Sequence, residues 1–534
     1  MFKNQKSIYP LILIFIVGLI SFALLLGYIW NFTVDDAFIS FRYALNLAEG
    51  HGIVWNIGES PTEGYSNFLW VLIMASIVKF GFDPVIITKF LGLLSLIGII
   101  YVYWLICKDI LNQDLKIPAF IIGSLFLLIN PATAIHAVSG LETMFYSLIM
   151  LCVIYFAYKF VLNLEKQYLW IFSLFALISS LLRLESIMFS LALIFLIYIL
   201  TIKKDNNLLK DRIKLLLPVF FVYILPLGIY MLFRFLYFND LLPLPFYIKT
   251  VTHGSLFDGL YYLSEAIKYL APFLILIFIT ITNKLEILWY AKEGNYFKLR
   301  RLLITFFMVI ISANLLYLFS SLYMNFAQRF YYPSFVLIYI ITGIILIILI
   351  KGIINSISNL KFKKYAKITG FIVVALLLLS NLSFSQDYLY LHQCSQRFPL
   401  SYVALGTGLE SFASNNLTFA SIDAGSMPYY SRWNHVDMVG LNDRFIAKNG
   451  VATLDYIKKK NPQLIIFIST DGITPGNVER QEAFIKFAEE KNYLKLPAIR
   501  YKDRYYLLPY IDPDIKDFQG IKKILIGASK KSLT

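Results

Sequence analysis

The sequence predicts a polytopic α-helical membrane protein with an α/β domain at its C-terminal end. Of the 534 residues, 58% are hydrophobic and 15% are charged, and the mean hydropathy is +0.68. Soluble domains are about 45–50% apolar and about one quarter charged, so a water-soluble protein of this length cannot bury so much apolar surface. The last 150 residues differ, because they are polar and contain Gly, Asn and Asp turns. We therefore predict two parts, a membrane module over residues 1–384 and an extracytoplasmic domain over residues 385–534.

Membrane-spanning helices need about 20 mostly apolar residues. Eleven segments of the chain qualify, near residues 8–32, 84–107, 117–135, 143–163, 167–182, 185–202, 215–236, 262–282, 302–322, 331–350 and 368–384. The first run is longer than a signal-peptide core, so we predict an uncleaved first span. The segment 66–82 is also apolar, but it is shorter and meets Lys79 and Asp83. We predict that this segment lies along the outer membrane surface.

The positive charge of the chain indicates its orientation. The net charge is +15, which in a soluble protein suggests nucleic-acid binding. With eleven spans and a cytoplasmic N-terminus, the predicted inner segments hold 20 Lys and Arg residues and the outer connections hold 5. Because Lys and Arg accumulate on the cytoplasmic side, this arrangement is favoured over twelve spans. We expect membrane lipids around the protein, no nucleic acid as partner, and an extracytoplasmic C-terminal domain.

The C-terminal domain shows an alternation of strand and helix patterns. Asn416–Asp423 and Leu464–Ser469 are predicted to be buried strands, and Glu479–Lys491 a helix. Ala498–Leu508 is predicted to form a hairpin that turns at Lys502–Asp503. This pattern indicates a small open sheet with helices.

The first outer connection, residues 33–83, is the most informative stretch, and we call it the first loop. It holds two adjacent acids, Asp35 and Asp36, just beyond the end of the first span. Like charges so close tend to raise one pKa, which suits a general base that works near neutral pH. The alternative is that they cap the next helix, since Asp is a favoured N-cap residue.

A family resemblance begins at these acids. The string Asp35-Asp36-Ala-Phe-Ile-Ser-Phe-Arg42-Tyr43, followed by Glu63-Gly-Tyr65-Ser-Asn67-Phe-Leu-Trp70, resembles the opening of GT-C membrane glycosyltransferases. Among these it is similar to the arabinofuranosyltransferases that add terminal residues to mycobacterial cell-wall arabinan. The resemblance continues in chain order at Ser139–Thr143, Arg183–Glu185, Leu242–Pro243 with Phe246–Lys249, Arg329–Phe330, Asp423–Gly425 and Gly440–Asp443.

The resemblance implies a GT-C-like fold with about 11 transmembrane helices and juxtamembrane helices in the first loop. It implies an inverting transferase that moves a sugar from a polyprenyl-phosphate donor to a hydroxyl of a cell-envelope glycan, lipid or protein. The reaction is expected on the outer face of the bacterial cytoplasmic membrane. The base falls by resemblance on Asp35 or Asp36, of which Asp35 is favoured, with Asp36 as its supporting partner.

The leaving lipid phosphate of such a reaction gains negative charge and needs cations beside it. Candidate cations at the outer headgroup level are Arg42, Arg183, Arg234, Lys249, His253 and Arg329. Charged groups at membrane depth are functional or paired; Arg183 can instead pair with Glu185, and Arg234 and Arg329 can snorkel towards headgroups. Further candidates for contact with the donor or acceptor are Glu63, Tyr65, Asn67, His136, Glu142 and Glu185. Glu142 alternatively serves as an acid that favours a helix start.

No cofactor and no metal are predicted. His51 and His136 are both outer, but no third ligand stands at a suitable spacing. Nucleotide-binding Gly motifs are absent from the sequence, which argues against a soluble nucleotide-sugar donor. The alternative function is a transporter or flippase of a lipid-linked glycan. A transporter is expected to contain a repeat and polar or broken helices at mid-bilayer, whereas here the ionisable residues gather at the outer ends of the predicted spans.

Overall fold

The computed structural model describes residues 9–202, 216–252, 255–282, 296–322, 324–358, 360–476 and 478–533. Its first part is helical. The helices are α1 (Tyr9–Ile29), α2 (Ala37–Ala48), α3 (Phe68–Lys79), α4 (Pro84–Ile110), α5 (Gln113–Leu128), α6 (Pro131–Val138), α7 (Thr143–Asn163), α8 (Lys166–Leu182), α9 (Ser186–Ile202), α10 (Leu225–Phe238), α11 (Leu256–Thr282), α12 (Tyr296–Asn314), α13 (Tyr332–Ser356) and α14 (Leu360–Ser380).

The eleven predicted spans all coincide with helical segments of this part. By length and composition, eight described helical segments can cross a membrane, or nine if the bent pair α5 and α6 counts as one span. α8 and α9 are apolar but shorter, so eleven is reached only if both also cross. The count and the sidedness therefore stay predictions. The connection between the predicted spans 185–202 and 215–236 lies outside the described residues, as does His253.

The bend between α5 and α6, which measures 66°, leaves backbone groups without helical partners in apolar surroundings. Such groups need other partners inside a membrane. Asn130 caps α6, because its Oδ1 accepts a hydrogen bond from the backbone N of Ala132 at 2.8 Å. Its Nδ2 donates to the hydroxyl of Tyr339 at 2.7 Å, and Asn381 donates to the carbonyl of Phe126. Polar side chains of three helical segments thus hold the break together.

The first loop forms two short helices, as predicted. α3 covers the apolar segment 66–82 with 12 residues, which is too short to span a bilayer. It packs against α2, and the indole of Trp70 donates to the carbonyl of Gly140 at 3.3 Å. The two helices thereby bring the start of α2 next to the start of α7. Their orientation along a membrane surface stays a prediction.

The C-terminal part continues the helical run and then forms a six-stranded mixed sheet. The helices are α15 (Ser385–Arg397), α16 (Ala404–Glu410), α17 (Ser426–Ser431), α18 (Arg444–Asn449), α19 (Leu454–Lys460), α20 (Glu479–Glu490) and α21 (Phe518–Leu533), and the strands are β1 (Thr418–Ser421), β2 (Asn434–Asp437), β3 (Leu464–Ser469), β4 (Leu494–Lys495), β5 (Ile499–Lys502) and β6 (Tyr505–Ile511). The order is β2-β1-β3-β6-β4, and β5 also pairs with β6. β1 is parallel to β2 and β3, whereas β6 is antiparallel to its neighbours.

The predicted strands and the helix of this region are confirmed, and so is the hairpin, whose turn lies at Asp503–Arg504 and not at Lys502–Asp503. The strands β2 and β4 were not predicted. β2 has the sequence Asn-His-Val-Asp, which lacks the apolar pattern of a buried strand. It is nevertheless largely buried, because it receives contacts from the first loop: the backbone N of His435 donates to Oδ1 of Asn56 at 2.9 Å. The division at residue 385 stays a prediction, since helical turns continue through it from α14 to α15.

Candidate functional site

Asp35 and Asp36 lie at the start of α2 and face different partners. Asp36 stands at the N-cap position, yet its side chain makes no capping hydrogen bond. Instead its Oδ2 accepts from Nη1 of Arg329 at 2.9 Å. Asp35 points the other way, where its carboxylate accepts three hydrogen bonds from Gly425 and Ser426. The two acids therefore have separate tasks.

Asp36 lines a cavity of about 360 Å³. Its walls come from the first loop, the residues just before α7, the connection from α8 into α9, α10, and the segments 242–249 and 316–330. The cavity lining combines charged groups with apolar side chains. Its charged and polar lining comprises eight of the predicted site residues, Asp36, Tyr65, Asn67, Glu142, Arg183, Glu185, Lys249 and Arg329. Its apolar lining includes Leu184, Ile187, Met188, Met231, Leu316 and Leu322. A ligand that matches this lining carries a charged headgroup on an apolar chain.

Glu142 and Arg183 form the centre of a buried network on the cavity wall. Nε of Arg183 donates to Oε1 of Glu142 at 2.8 Å, and Nδ2 of Asn67 donates to Oε2 at 2.7 Å. Glu142 makes no capping hydrogen bond to α7. Glu185 lies 3.7 Å from Nη1 of Arg183 and accepts from the hydroxyl of Tyr317 at 2.5 Å. Arg183 thus pairs mainly with Glu142 rather than with its sequence neighbour Glu185.

Three cations converge on the ring of Phe330. The ring centroid lies 4.7 Å from Cζ of Arg329, 4.9 Å from Nζ of Lys249 and 5.8 Å from Cζ of Arg183. Cations are attracted to the negative face of an aromatic ring at such distances. Among the described residues, Lys249 has no carboxylate within 4 Å. This cluster gives the cavity a positive surface beside Asp36.

The turn that carries Arg329 is strained. Three residues other than glycine adopt a positive φ here, Met324 at 60°, Ala327 at 44° and Gln328 at 56°. Each such residue costs of order 1–3 kcal/mol and persists only where the surroundings hold it. His136 supplies one such contact, because its Nε2 lies 2.9 Å from the carbonyl of Ala327. His136 therefore contacts the turn that carries Arg329 and does not line the cavity.

Arg42 was expected at the donor, but the structure places it outside the cavity. Its guanidinium donates to the carbonyls of Trp55, Pro428 and Trp433 and to the side chain of Asn56. These contacts join the first loop to α17 and β2. A guanidinium that is engaged in this way has little capacity left for a ligand.

Glu63 and Arg234 also lie outside the cavity and pair with each other. Nε of Arg234 donates to Oε2 of Glu63 at 2.5 Å, and both side chains are buried. Their sequence neighbours Gly64 and Met231 do line the cavity. A Cβ on Gly64 would fall 2.8 Å from the backbone carbonyl oxygen of Leu441 and 1.8 Å from Oδ1 of Asn442, so only glycine allows this close approach of the C-terminal region. The pair therefore supports the wall from outside.

Burial and neighbouring charges shift the pKa values of the lining groups. Burial, together with the charge of Arg329, lowers the pKa of Lys249 to about 8. Burial would raise the pKa of Glu142, but the charge of Arg183 and the hydrogen bond from Asn67 outweigh it, so this pKa lies below its ordinary value. Lys249 is therefore the lining cation whose charge is sensitive to pH near neutrality, and Glu142 remains ionised.

Sequence reasoning missed several contributors to the site. Phe330 and Tyr317 are lining residues without a charge, and Ser40 donates to Asn67 at 3.1 Å. Leu441 adds an apolar contact from the C-terminal region. Phe330 directly follows Arg329 in a string that is part of the family resemblance. This position was the sequence feature that could have identified Phe330 as a site residue. Within the described residues, no group of three or more His, Cys, Asp or Glu is arranged to hold a metal ion.

Comparison with known proteins supports the architecture. Residues 392–509 match the model of a family described as a domain of unknown function, DUF8728. The sequence matches no curated protein. Among solved structures, the chain is similar to ArnT from Cupriavidus metallidurans bound to undecaprenyl phosphate, with 13% identity and a TM-score of 0.54, over 95% of this chain and 99% of ArnT.

Two further solved structures are similar to a lesser degree. ArnT in the apo state has 12% identity and a TM-score of 0.49, over 97% of this chain and 99% of that one. An oligosaccharyltransferase from Archaeoglobus fulgidus, tethered to an acceptor peptide by a disulfide bond, has 11% identity and a TM-score of 0.47, over 97% and 77%. The narrower resemblance to mycobacterial arabinofuranosyltransferases is not confirmed. The match to ligand-bound ArnT shows that this chain has a GT-C-like fold, with its helical part followed by the α/β region.

Proposed function

We propose that this protein is an inverting glycosyltransferase that moves a sugar from a polyprenyl-phosphate donor to a hydroxyl of a cell-envelope acceptor. The observation that carries the proposal is the amphipathic cavity, which joins a cluster of acids and cations to an apolar wall. The related fold of ArnT, whose structure contains undecaprenyl phosphate, supports a donor of this class. The acceptor is a glycan, a lipid or a protein on the outer face of the bacterial cytoplasmic membrane.

The donor phosphate is proposed to lie against the cations around Phe330. Lys249 has no ion-pair partner within 4 Å among the described residues, and Arg329 has one partner, Asp36. A phosphate group offers several acceptor oxygens to both side chains. The prenyl chain then extends along the apolar wall at Met188 and Met231. Arg183 stays with Glu142 and adds positive potential to the same region.

Transfer forms a bond between the acceptor oxygen and the anomeric carbon while the bond from that carbon to the phosphate oxygen breaks. The acceptor hydroxyl loses its proton to a carboxylate, and the polyprenyl phosphate leaves with the bonding electron pair. Preorganised cations stabilise the charge that develops on this phosphate. We assign the base to Asp36, because Asp36 and not Asp35 lines the cavity. Attack from the side opposite the phosphate inverts the anomeric carbon.

The decisive test uses the purified full chain in lipid nanodiscs with a panel of radiolabelled polyprenyl-phosphate sugars. We expect release of polyprenyl phosphate and transfer to an acceptor for at least one sugar, and no turnover with soluble nucleotide sugars. Chelators are expected to leave most of the activity intact. Turnover only with a nucleotide sugar would contradict the proposal. In a parallel assay in sealed proteoliposomes, movement of the intact lipid-linked sugar across the bilayer, without bond cleavage, would favour the flippase alternative.

A further inference from the structure

The C-terminal region reaches the acid pair directly through Asp35. Oδ2 of Asp35 accepts from the backbone N of Gly425 at 2.9 Å, and Oδ1 accepts from the backbone N and the hydroxyl of Ser426 at 2.8 and 2.7 Å. These three contacts therefore form a specific attachment, which we call the Asp35 clasp.

The clasp depends on a close backbone approach at Gly425. A Cβ at this position would fall 2.0 Å from the carbonyl oxygen of Asp35 and 2.4 Å from its carboxyl carbon. Real Cβ atoms essentially never approach other atoms so closely, and neither obstacle is the end of a long flexible side chain. Any larger residue must therefore push α17 away from the start of α2.

A third acid and two tyrosines of the C-terminal region stand beside the clasp. Asp423 lies beside it and accepts from the hydroxyls of Tyr402 at 2.6 Å and Tyr505 at 2.9 Å. Burial and the charge of Asp423 raise the pKa of Asp35 to about 7, although the hydrogen bonds from Ser426 oppose this rise. Because all three of its side-chain hydrogen bonds come from the C-terminal region, Asp35 is better suited to holding a position than to meeting a substrate.

A second attachment lies further along α2. Arg42 donates to the carbonyls of Pro428 and Trp433, which lie within and just after α17. Asp35 and Arg42 thus hold the two ends of the same short helix. Because Asp36 stands between these attachments, at the N-cap of α2, its direction depends on how α17 is seated.

We propose that the C-terminal region is a positioning element of the transferase site, and that Asp35 is the positioning residue through which Gly425 and Ser426 fix the orientation of Asp36. This role rests on the proposed function and goes beyond it, because it assigns a task to the region that matches a domain of unknown function. The acid pair then divides its work: Asp35 binds the C-terminal region, and Asp36 faces the substrate.

The first experiment measures the clasp without any assay of activity. The backbone N–H groups of Ala37, Phe38 and Ile39 donate within the start of α2, to Val34, Asp35 and Asp36. Hydrogen exchange by mass spectrometry on the full chain in nanodiscs reports on these groups. Gly425→Ala and Asp35→Asn are expected to speed exchange there. Gly527→Ala is the matched control, because a Cβ at Gly527 in α21 meets nothing within 4 Å.

The second experiment separates positioning from loss of folded protein. In Gly425→Ala, kcat is expected to fall at least about tenfold, because displacement of a reacting group by about 1 Å costs up to a hundredfold. The Kd for polyprenyl phosphate is expected to stay within about twofold, since Arg183, Lys249 and Arg329 are untouched. If the substitution only lowered the fraction of folded protein, the number of donor-binding sites per mole of protein and the turnover per mole of protein would fall by the same factor.

Two outcomes would overturn the positioning role. The first is unchanged exchange and unchanged kcat in Gly425→Ala. The second is loss of turnover in Asp35→Asn while exchange at the start of α2 is unaltered, which would make Asp35 the base itself. If the wild-type protein transfers no sugar from any lipid donor, the proposed function fails, and the exchange comparison still decides whether the clasp holds α2.

Discussion

Arg42 and Arg329 are both buried arginines near the first loop, and their surroundings show how a structural cation differs from one available to a ligand. Arg42 donates to three backbone carbonyls and one amide side chain. Arg329 donates to Asp36 alone in the described contacts and otherwise lies over the rings of Phe326 and Phe330. A guanidinium whose N–H groups donate to carbonyls must lose those hydrogen bonds to bind an anion. A guanidinium that lies over aromatic rings can bind an anion without losing hydrogen bonds to the protein backbone. The contrast predicts that changes at the two positions affect different properties.

Asp35 and Asp36 differ in the same way, because Asp35 is held by protein contacts and Asp36 lines the cavity. The largest expected effect on turnover is at Asp36. Asp36→Asn keeps the shape of the side chain and removes its basicity, so turnover is expected to fall by about 10²–10⁴-fold. The measurement is release of polyprenyl phosphate by purified protein at saturating donor. Glu59→Gln is the control, because Glu59 is a half-exposed acid of the same loop that pairs with Lys460 away from the cavity. Normal turnover in both Asp36→Asn and Asp35→Asn would show that neither acid is the base, and Glu142 would be the next candidate.

The arginine pair gives the second prediction. Arg329→Lys removes the planar fork and the stacking surface, so kcat/KM for the lipid donor is expected to fall by about tenfold to a hundredfold, which corresponds to about 1.5–3 kcal/mol for a charged hydrogen bond. Arg42→Lys is expected to lower the apparent Tm in detergent by several degrees and to increase exchange at α17. Its Kd for polyprenyl phosphate is expected to match the wild type. Weaker donor binding in Arg42→Lys with an unchanged Tm would contradict the assignment.

The sequence predicted much of the fold because span formation is a local property. Apolar length located all eleven helical segments, and strand patterns located β1, β3 and the hairpin of β5 and β6. Apolar length predicted the number of membrane-crossing helices less well than their positions, since α8 and α9 are apolar but short. The local sequence of β2 did not predict a buried strand, because a contact that buries it comes from a distant part of the chain. Asn56 of the first loop contacts His435 of β2, and the two residues are 379 positions apart.

For the candidate site, the sequence identified the residue types but not their directions. Asp35 and Asp36 point apart, and only the three-dimensional contacts show which of them faces the cavity. The partner of Asp35 lies 390 positions away at Gly425. Phe330 was missed as a contributor because an uncharged ring gives no chemical signal until cations gather around it. Local sequence therefore predicted what the site contains, and long-range packing decided what each residue does.

Lys249 gives a pH-dependent test of the cation cluster. With its pKa lowered to about 8, Lys249 is charged below that pH and loses its charge as pH rises through it. Binding of polyprenyl phosphate is therefore expected to weaken by up to about tenfold between pH 7 and pH 9, in proportion to the charged fraction. Lys249→Arg stays charged throughout and is expected to remove this dependence. A wild-type Kd that is constant from pH 7 to pH 9 would show that Lys249 does not contact the phosphate.

The smallest expected effect concerns the ring that the three cations share. Phe330→Leu keeps an apolar side chain but removes the π face below Arg183, Lys249 and Arg329. Each cation–π contact contributes about 0.5–1 kcal/mol at an exposed site and more when desolvated. Because the contacts share one ring and are not additive, we expect the Kd for polyprenyl phosphate to rise by about threefold to tenfold.

Phe326→Leu is the matched control for this prediction, since the ring of Phe326 lies 5.5 Å from Cζ of Arg329 and no contact with Lys249 or Arg183 is observed. Its effect on the same Kd is expected to be smaller, about twofold, because a single cation–π contact is lost. Equal effects of the two substitutions would show that the ring of Phe330 merely fills space. A larger effect at Phe330 alone would show that the ring holds the cations together, so that a phosphate meets them already in place.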